Sequence, residues 1–389
     1  MMDTEDLDDV LAAMMSFKEG VSDLNFTVGK PPQIEVHGRL EPVTFELKPE
    51  PLTSEETEAI ALALMAEAPE LRTSFDATGA CDSAHTLGDG RRVRVNVFRA
   101  RGEYSVVLRA LPTLVPSTEE LGLPAILAEI PKLMNGLVLV TGATGSGKST
   151  TMTSILDSIN VKRPAHVITL EDPIEFVHPH KAATMNQREL GRDFTSYAEG
   201  LRAALRQAPK VIFIGEIRDR ETMEIALKAA ETGHLVLSTL HTIDAGQTIG
   251  RVVGMFDLTE QQFVRTRLAE VLRFVVSQRL LPKERGGRVA AVEVMGSSLR
   301  VRELTIHGED QSRTFYDVIR ESKSKGWQTF DQHIVQLYEK DLISEETARS
   351  SCSDGSEVLR YVDQIKSKRG EETSDLGDLE MAHTRQLRR

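Results

Sequence analysis

The octapeptide Gly142-Ala143-Thr144-Gly145-Ser146-Gly147-Lys148-Ser149 constrains this chain more than any other feature. It matches the pattern G-x-x-x-x-G-K-[ST], and its flanks have the periodicities that pattern needs. The apolar run Leu137-Val138-Leu139-Val140 precedes it and reads as a strand, while Met152, Ile155, Leu156 and Ile159 follow at helical spacing. Strand, glycine-rich loop and helix in that order make a phosphate cradle. Glycines let backbone N–H groups converge on phosphate oxygens, and the helix N-terminus adds a favourable dipole. Gly142, Ala143, Thr144, Gly145, Ser146, Gly147, Lys148, Ser149 and Thr150 are therefore the expected nucleotide-binding set, with ATP and Mg²⁺ as its ligands. Lys148 would reach the β- and γ-phosphates, and Ser149 would ligate Mg²⁺.

The chain around this loop changes pattern once. Residues 1–112 predict a small α+β domain. Leu7, Val10, Leu11, Met14 and Met15 form a helical stripe, and alternation over Leu24-Asn25-Phe26-Thr27-Val28 and Ile34-Glu35-Val36-His37 predicts strands. Thr53 and Glu56 have capping-box spacing at the head of a second helix. Val93, Val95 and Val97, then Tyr104, Val106 and Leu108, alternate on either side of Gly102 and predict two strands. Pro112 and Pro116 mark a linker over residues 113–118. Residues 119–350 then read as an ATPase domain ending in helices. Its runs Val167-Ile168-Thr169-Leu170, Val211-Ile212-Phe213-Ile214 and Leu235-Val236-Leu237 are mostly apolar on both faces, as expected of strands covered by helices on both sides. The fold class expected is α/β. Residues 351–389 are expected to be a tail, disordered towards its end.

Several charged groups fall where such a sheet would place chemistry. Glu171, Asp172 and Glu175 follow a predicted strand, at the edge where open α/β sheets bind ligands. Three carboxylates there either order Mg²⁺-bound water and polarise an attacking water, or form a solvated acidic turn. Glu216 follows the run 211–214 and reads as a Walker-B-like carboxylate. His234 and His241 flank the strand that begins at Leu235, as structural or as catalytic imidazoles. Arg91, Arg92, Arg94, Arg99, Arg101 and Arg109 load the preceding hairpin, either as a solvated basic face or with some acting as arginine fingers.

Composition excludes other classes. With 47 Lys and Arg against 59 Asp and Glu, the formal charge of −12 argues against nucleic acid as a partner. No run approaches the ~20 apolar residues that span a bilayer. The acidic start Met1-Met2-Asp3-Thr4-Glu5-Asp6 does not resemble a signal sequence. Cys81 and Cys352 are the two cysteines and have no metal-ligand spacing, so a reducing, cytoplasmic setting is expected.

The chain resembles the type II/IV secretion ATPase superfamily over about residues 5–345. The resemblance rests on the Walker A loop, an Asp box over residues 168–176, a Walker B over 211–219 and a His box over 232–242, in that order. Within it, the wording of Ile174-Glu175-Phe176, Asn186-Gln187-Arg188-Glu189 and Ala229-Ala230-Glu231-Thr232-Gly233-His234 is similar to the type IV pilus retraction ATPases, the PilT and PilU proteins. Of a C-terminal signature of that family, Val301, Arg302 and Leu304 match, and Arg300, Thr305 and Ile306 do not. The resemblance implies an N-terminal PAS-like domain, a RecA-like core and a homohexamer at the cytoplasmic face of the inner membrane. It implies a pilus platform protein as partner and ATP-driven pilus retraction as function. It also implies residue roles. Glu175 would be the general base and Glu216 would hold the Mg²⁺ shell with Ser149 and Glu171. His234 and His241 would couple nucleotide state to the core, and Arg94 and Arg109 would sense the γ-phosphate. Leu205-Arg206-Gln207-Ala208-Pro209 and the stretch from Gly326 to Gln332 resemble PilU, whose type acts as an accessory to a paralogous retraction ATPase. The rival readings are a pilus-assembly or type II secretion ATPase and an ATP-binding regulatory subunit with little turnover.

Overall fold

The structure, a computed structural model, describes residues 4–43, 50–66, 69–111, 114–311 and 313–373. It is a mixed α/β fold of two compact units, one formed by Met1–Val115 with Ile168–Ala203 and the other by Pro116–Val167 with Ala204–Arg389. Part of the linker expected at 113–118, and residues 374–389 of the expected tail, lie outside the described residues.

In the first unit, strands β1 (Val21–Thr27), β2 (Gln33–Val36), β3 (Arg39–Pro42), β4 (Ala80–Thr86), β5 (Arg92–Ala100) and β6 (Glu103–Ala110) form one antiparallel sheet in the order β3-β2-β1-β6-β5-β4. Alternation decides which face is buried. On β5, Val93, Val95 and Val97 are buried while Arg92 and Arg94 point to the other face. The apolar face packs on helices Thr4–Ser16, Ser54–Met65 and Pro69–Thr78 through Leu7, Leu11, Ile60, Leu64 and Phe75. The capping box expected from Thr53 and Glu56 is formed, with each side chain accepting from the other residue's backbone N–H. This unit also holds most of β8 (His166–Glu171), following β7 (Gly136–Thr141) in the chain, and β9 (Thr184–Glu189).

In the second unit, β7, β10 (Val211–Ile214), β11 (Leu235–Leu240), β12 (Leu272–Pro282) and β13 (Arg288–Gly296) run in the order β13-β12-β7-β11-β10. All pairs are parallel except β12 with β13. β7, β10 and β11 are buried at every position, which explains their two-faced apolar runs. The sequence reading did not anticipate β9, β12 or β13. β9 is polar, and β12 and β13 interrupt their apolar runs with Ser277, Gln278 and Glu293, all buried.

The stretch expected to be a tail from 351 carries the helix Gly355–Arg369, with Val358, Val362 and Ile365 facing the core. They join Leu281 and Val289 from the sheet and Phe330, Ile334 and Leu337 from the helix Phe330–Glu339 in one apolar cluster. Phe330 is 1% exposed, and the Arg279 guanidinium lies 4.0 Å from its ring centre. Phe330→Ala is expected to cost about 3–5 kcal/mol of stability. Chemical unfolding of the purified chain should show a lowered midpoint; an unchanged one would mean that this cluster does not hold the C-terminal helices.

Candidate functional site

Three parallel strands bring the first set of groups together. Register pairs Gly136 with Leu235 and Thr141 with Leu240, and Ile214 with Ser238, so β7, β10 and β11 end at one edge. The loop 142–147 leaves β7 there, Gly215 and Glu216 leave β10, and His241 leaves β11. Thr239 Oγ1 donates to the Gly215 carbonyl at 2.7 Å and fixes the start of the Glu216 turn.

Lys148 opens the helix Lys148–Lys162 and is 9% exposed. Its Nζ donates to the carbonyls of Gly142 at 2.8 Å and Ala143 at 3.0 Å, and lies 3.5 Å from His241 Nδ1. Burial pushes its pKa down, and the charge of Glu216 works against that. His241 Nε2 is 3.0 Å from Glu216 Oε1, and Arg218 donates to the other carboxylate oxygen at 2.8 Å. Burial of Glu216 acts to raise its pKa, but Arg218 and His241 outweigh it and the net shift is downward. In its neutral form His241 gives its one proton to Glu216 and turns the Nδ1 lone pair to Lys148. A chain Lys148–His241–Glu216–Arg218 therefore lines the strand ends.

Sequence reasoning missed the residue that braces this loop from behind. Gln278, buried on β12, donates from Nε2 to the Ser146 carbonyl at 2.7 Å and accepts at Oε1 from Thr151 Oγ1 at 2.8 Å. One residue earlier, Ser277 accepts from Thr141 Oγ1 at 2.9 Å. A polar pair inside an apolar strand was the available signal. The brace also explains two glycines. A Cβ at Gly142 would stand 2.4 Å from the Gln278 carbonyl oxygen, and one at Gly147 would stand 2.7 Å from Gln278 Nε2, while φ is +149° and +88° at the two positions.

These groups fit a nucleotide phosphate. The ammonium is buried, the Ser146 hydroxyl is buried with no hydrogen-bond partner among the described residues, and side chains are excluded where the backbone must approach. Ala143, Thr144 and Gly145 are exposed on the loop; Ser149, exposed, and Thr150, half-buried, follow Lys148 on the helix. Ser149 and Glu216 carry hard oxygen donors of the kind that Mg²⁺ takes.

His234 stands apart from this cluster. It precedes β11 at the opposite edge of the sheet, and its Nδ1 lies 3.0 Å from the Ala229 carbonyl at the end of the helix Arg220–Glu231.

The remaining candidates belong to the first unit. Glu171 Oε1 accepts from Thr169 Oγ1 at 2.6 Å and Gln187 Nε2 at 3.0 Å. Burial of its carboxyl group raises the pKa to about 7 against these bonds, and the charge of Glu175 adds to the rise. Glu175 itself is half-buried between Ile174 and Phe176, whose side chains are in the core. Arg94 and Arg109, 15 residues apart in sequence, are direct cross-strand partners on β5 and β6. Two like charges in that position repel; Asp82 lies 3.7 Å from Arg94, and Asp23 accepts from Arg109 at 2.9 Å. Arg94 lines a cleft of about 360 Å³ with Asp82, Asp172, Glu189 and Arg192.

Comparison with known proteins is consistent over nearly the whole chain. The family described as type II/IV secretion system protein matches residues 85–341. The type IV pilus retractation ATPase PilT of Pseudomonas aeruginosa is 42% identical over 347 residues, covering 89% of this chain and 98% of that one. The type IV pilus ATPase PilU of the same organism is 38% identical over 352 residues, covering 90% of each. A crystal structure of the pilus retraction motor PilT with bound ADP superposes with a TM-score of 0.82 at 41% identity, covering 91% of this chain and 99% of that one.

Two outcomes are expected at these sites. Gln278→Leu keeps the bulk but leaves the Ser146 carbonyl and Thr151 hydroxyl unpaired in the core, so nucleotide affinity should fall by about 10-fold or more; titration with a fluorescent ADP analogue reads this. Glu171 has a raised pKa in the fold, so the folded state binds its proton more tightly than the unfolded chain does. Wild-type stability should therefore fall as pH rises from 4.5 to about 7 and level off above, by on the order of 3 kcal/mol from this group. Glu171→Gln keeps both accepted hydrogen bonds at its amide oxygen and removes this group's share of the dependence. Urea midpoints of variant and wild type should differ at pH 8 and converge near pH 4.5.

Proposed function

This chain belongs to the type II/IV secretion system protein family, in its type IV pilus retraction ATPase branch, and on that premise we propose how its residues act. The protein hydrolyses ATP, and the hydrolysis drives pilus retraction. The observation that carries the mechanism is the run Lys148–His241–Glu216 at the strand ends.

Lys148 and the loop N–H groups hold the β- and γ-phosphates. Ser149, Glu216 and Glu171 are the residues that would hold Mg²⁺. When bound, Mg²⁺ draws electron density from the γ-phosphate. Glu175 is the general base: it takes a proton from water as the water oxygen bonds to phosphorus, while the bond from phosphorus to the bridging β-oxygen breaks and ADP leaves. Arg94 and Arg109 read the γ-phosphate, and their mutual repulsion favours an anion between or beside them. His241 touches both Lys148 and Glu216, so loss of phosphate beside Lys148 alters the charge on one side of a ring whose other side holds Glu216. His234 steadies the start of the same strand. The N-terminal sheet and helices are read as PAS-like, and the core as RecA-like. The working form is read as a homohexamer docked on a platform protein at the inner membrane. No described helix is long and apolar enough to cross a membrane.

Lys148→Ala should abolish hydrolysis and weaken ATP binding. Glu175→Gln should still bind ATP and turn it over about 10² to 10⁴ times more slowly. Steady-state phosphate release and nucleotide titration check both; wild-type turnover in either variant sinks the assigned role. In cells, deletion should leave pili that no longer shorten. Expressing this chain as the sole retraction-type ATPase separates a self-sufficient motor, which shortens pili under load, from the accessory role read from the stretches at 205–209 and 326–332. Loss of pili on deletion would instead identify an assembly ATPase.

A further inference from the structure

Within the run Asn186-Gln187-Arg188-Glu189, the side chains of Gln187 and Glu189 are bonded to the segment that carries Glu175. On β9, Gln187 and Glu189 are two residues apart and share a face. Gln187 Nε2 donates to the Phe176 carbonyl at 2.8 Å, and its Oε1 accepts from the His178 N–H at 2.7 Å. Glu189 Oε2 accepts from the Ile174 N–H at 3.0 Å. The residues immediately before and after Glu175 are thus each tied, through the backbone, to a side chain of one strand.

The same Glu189 oxygen accepts from Arg92 Nη2 at 2.8 Å. Arg92 lies on β5, two residues from Arg94 and on the same face. The Arg92 and Glu189 side chains are 13% and 9% exposed, and Arg92 Nε is buried with no hydrogen-bond partner among the described residues. Two desolvated charges held by so few bonds are costly to keep, and removing one strands the other.

We infer that Gln187 and Glu189 are a clamp that positions the Glu175 segment, and that Arg92, reaching Glu189 from the N-terminal sheet, sets that clamp. The three are positioning residues: Arg92 and Glu189 act through Glu175, while Gln187 also donates to Glu171 Oε1 at 3.0 Å, so Arg92→Ala is the cleaner reading of the clamp; the inference rests on Glu175 being the general base. A shift of β5 at Arg92 moves the Ile174 peptide, and Glu175 with it.

The test is steady-state hydrolysis by the full-length chain with Arg92→Ala, Arg92→Lys and Gln187→Met, each alone and with Glu175→Gln. Misplacing a base by about 1 Å costs on the order of 10- to 100-fold. Arg92→Ala and Gln187→Met should lower kcat by that factor with the KM for ATP within about twofold. Arg92→Lys, which can still make the single contact to Glu189, should recover most of the loss. With Glu175→Gln in place, Arg92→Ala should remove little further activity, because there is no base left to misplace. Gln187→Met carries no charge change and serves if Arg92→Ala does not fold. Unchanged kcat in Arg92→Ala and Gln187→Met, beside a large loss in Glu175→Gln, overturns the clamp alone. Equal losses with and without Glu175→Gln overturn it too, since they show an action that bypasses the base. Wild-type kcat in Glu175→Gln overturns the base assignment and the clamp with it.

Discussion

The buried ammonium of Lys148 is the charge around which the second unit is arranged. Its contacts are two carbonyls of its own loop and one imidazole. That geometry exists only because β7, β10 and β11 run parallel in a register that ends them together. Their apolar residues on both faces drive the burial; the polar groups that follow each strand are then left at one edge. Hydrophobic patterning several residues away is thus what sets a charge–imidazole–carboxylate chain within hydrogen-bonding reach. The brace from Gln278 completes it, since the loop has an apolar sheet behind it and its Ser146 carbonyl would otherwise lack a donor.

Where the determinants are local, the sequence showed them. The phosphate loop is contiguous, so its strand, turn and helix could be read directly, and the Thr53 capping box depends on two residues three apart. Glu216 and His241 were legible because each follows an apolar run, and strand ends share an edge. The facing of Arg94 and Arg109 follows from two alternating strands about Gly102. Gln278 was not legible, because its partners come from residues more than a hundred positions earlier. The helix Gly355–Arg369 was read as tail although Val358, Val362 and Ile365 have helical spacing; its charged outer face lowers the average hydropathy, and only Phe330, Ile334 and Leu337 show what the stripe packs against. His234 has the same residue type and the same strand as His241, but strand direction sends the two to opposite edges.

The carboxylates show how burial and pairing divide one residue type. Glu216 has a guanidinium and an imidazole beside it and is held below its ordinary pKa in spite of burial. Glu171 has a hydroxyl and an amide, and Glu293 has the Ala245 N–H as its hydrogen-bond donor; both rise to about 7. Neutral donors soften the desolvation of a carboxylate, and a full positive charge reverses it. His333 obeys the same rule from the other side: buried and accepting the Val292 N–H at Nδ1, it is pushed down to about 4.

β12 serves two structures at once. Its first half pairs with β7 beside the nucleotide loop, Gln278 sits near its middle, and Leu281 near its end lies in the apolar cluster of the C-terminal helices. Beyond a register shift against β7 at Leu272/Phe274 the strand runs without a turn to Pro282, and β13 is bonded alongside from Phe274 to Pro282. An extended strand hardly stretches, and its ladder bonds lie across its axis, so a pull along the strand loads them together rather than one after another. The loop that grips phosphate and the cluster that anchors the C-terminal helices are in effect two ends of one tie rod.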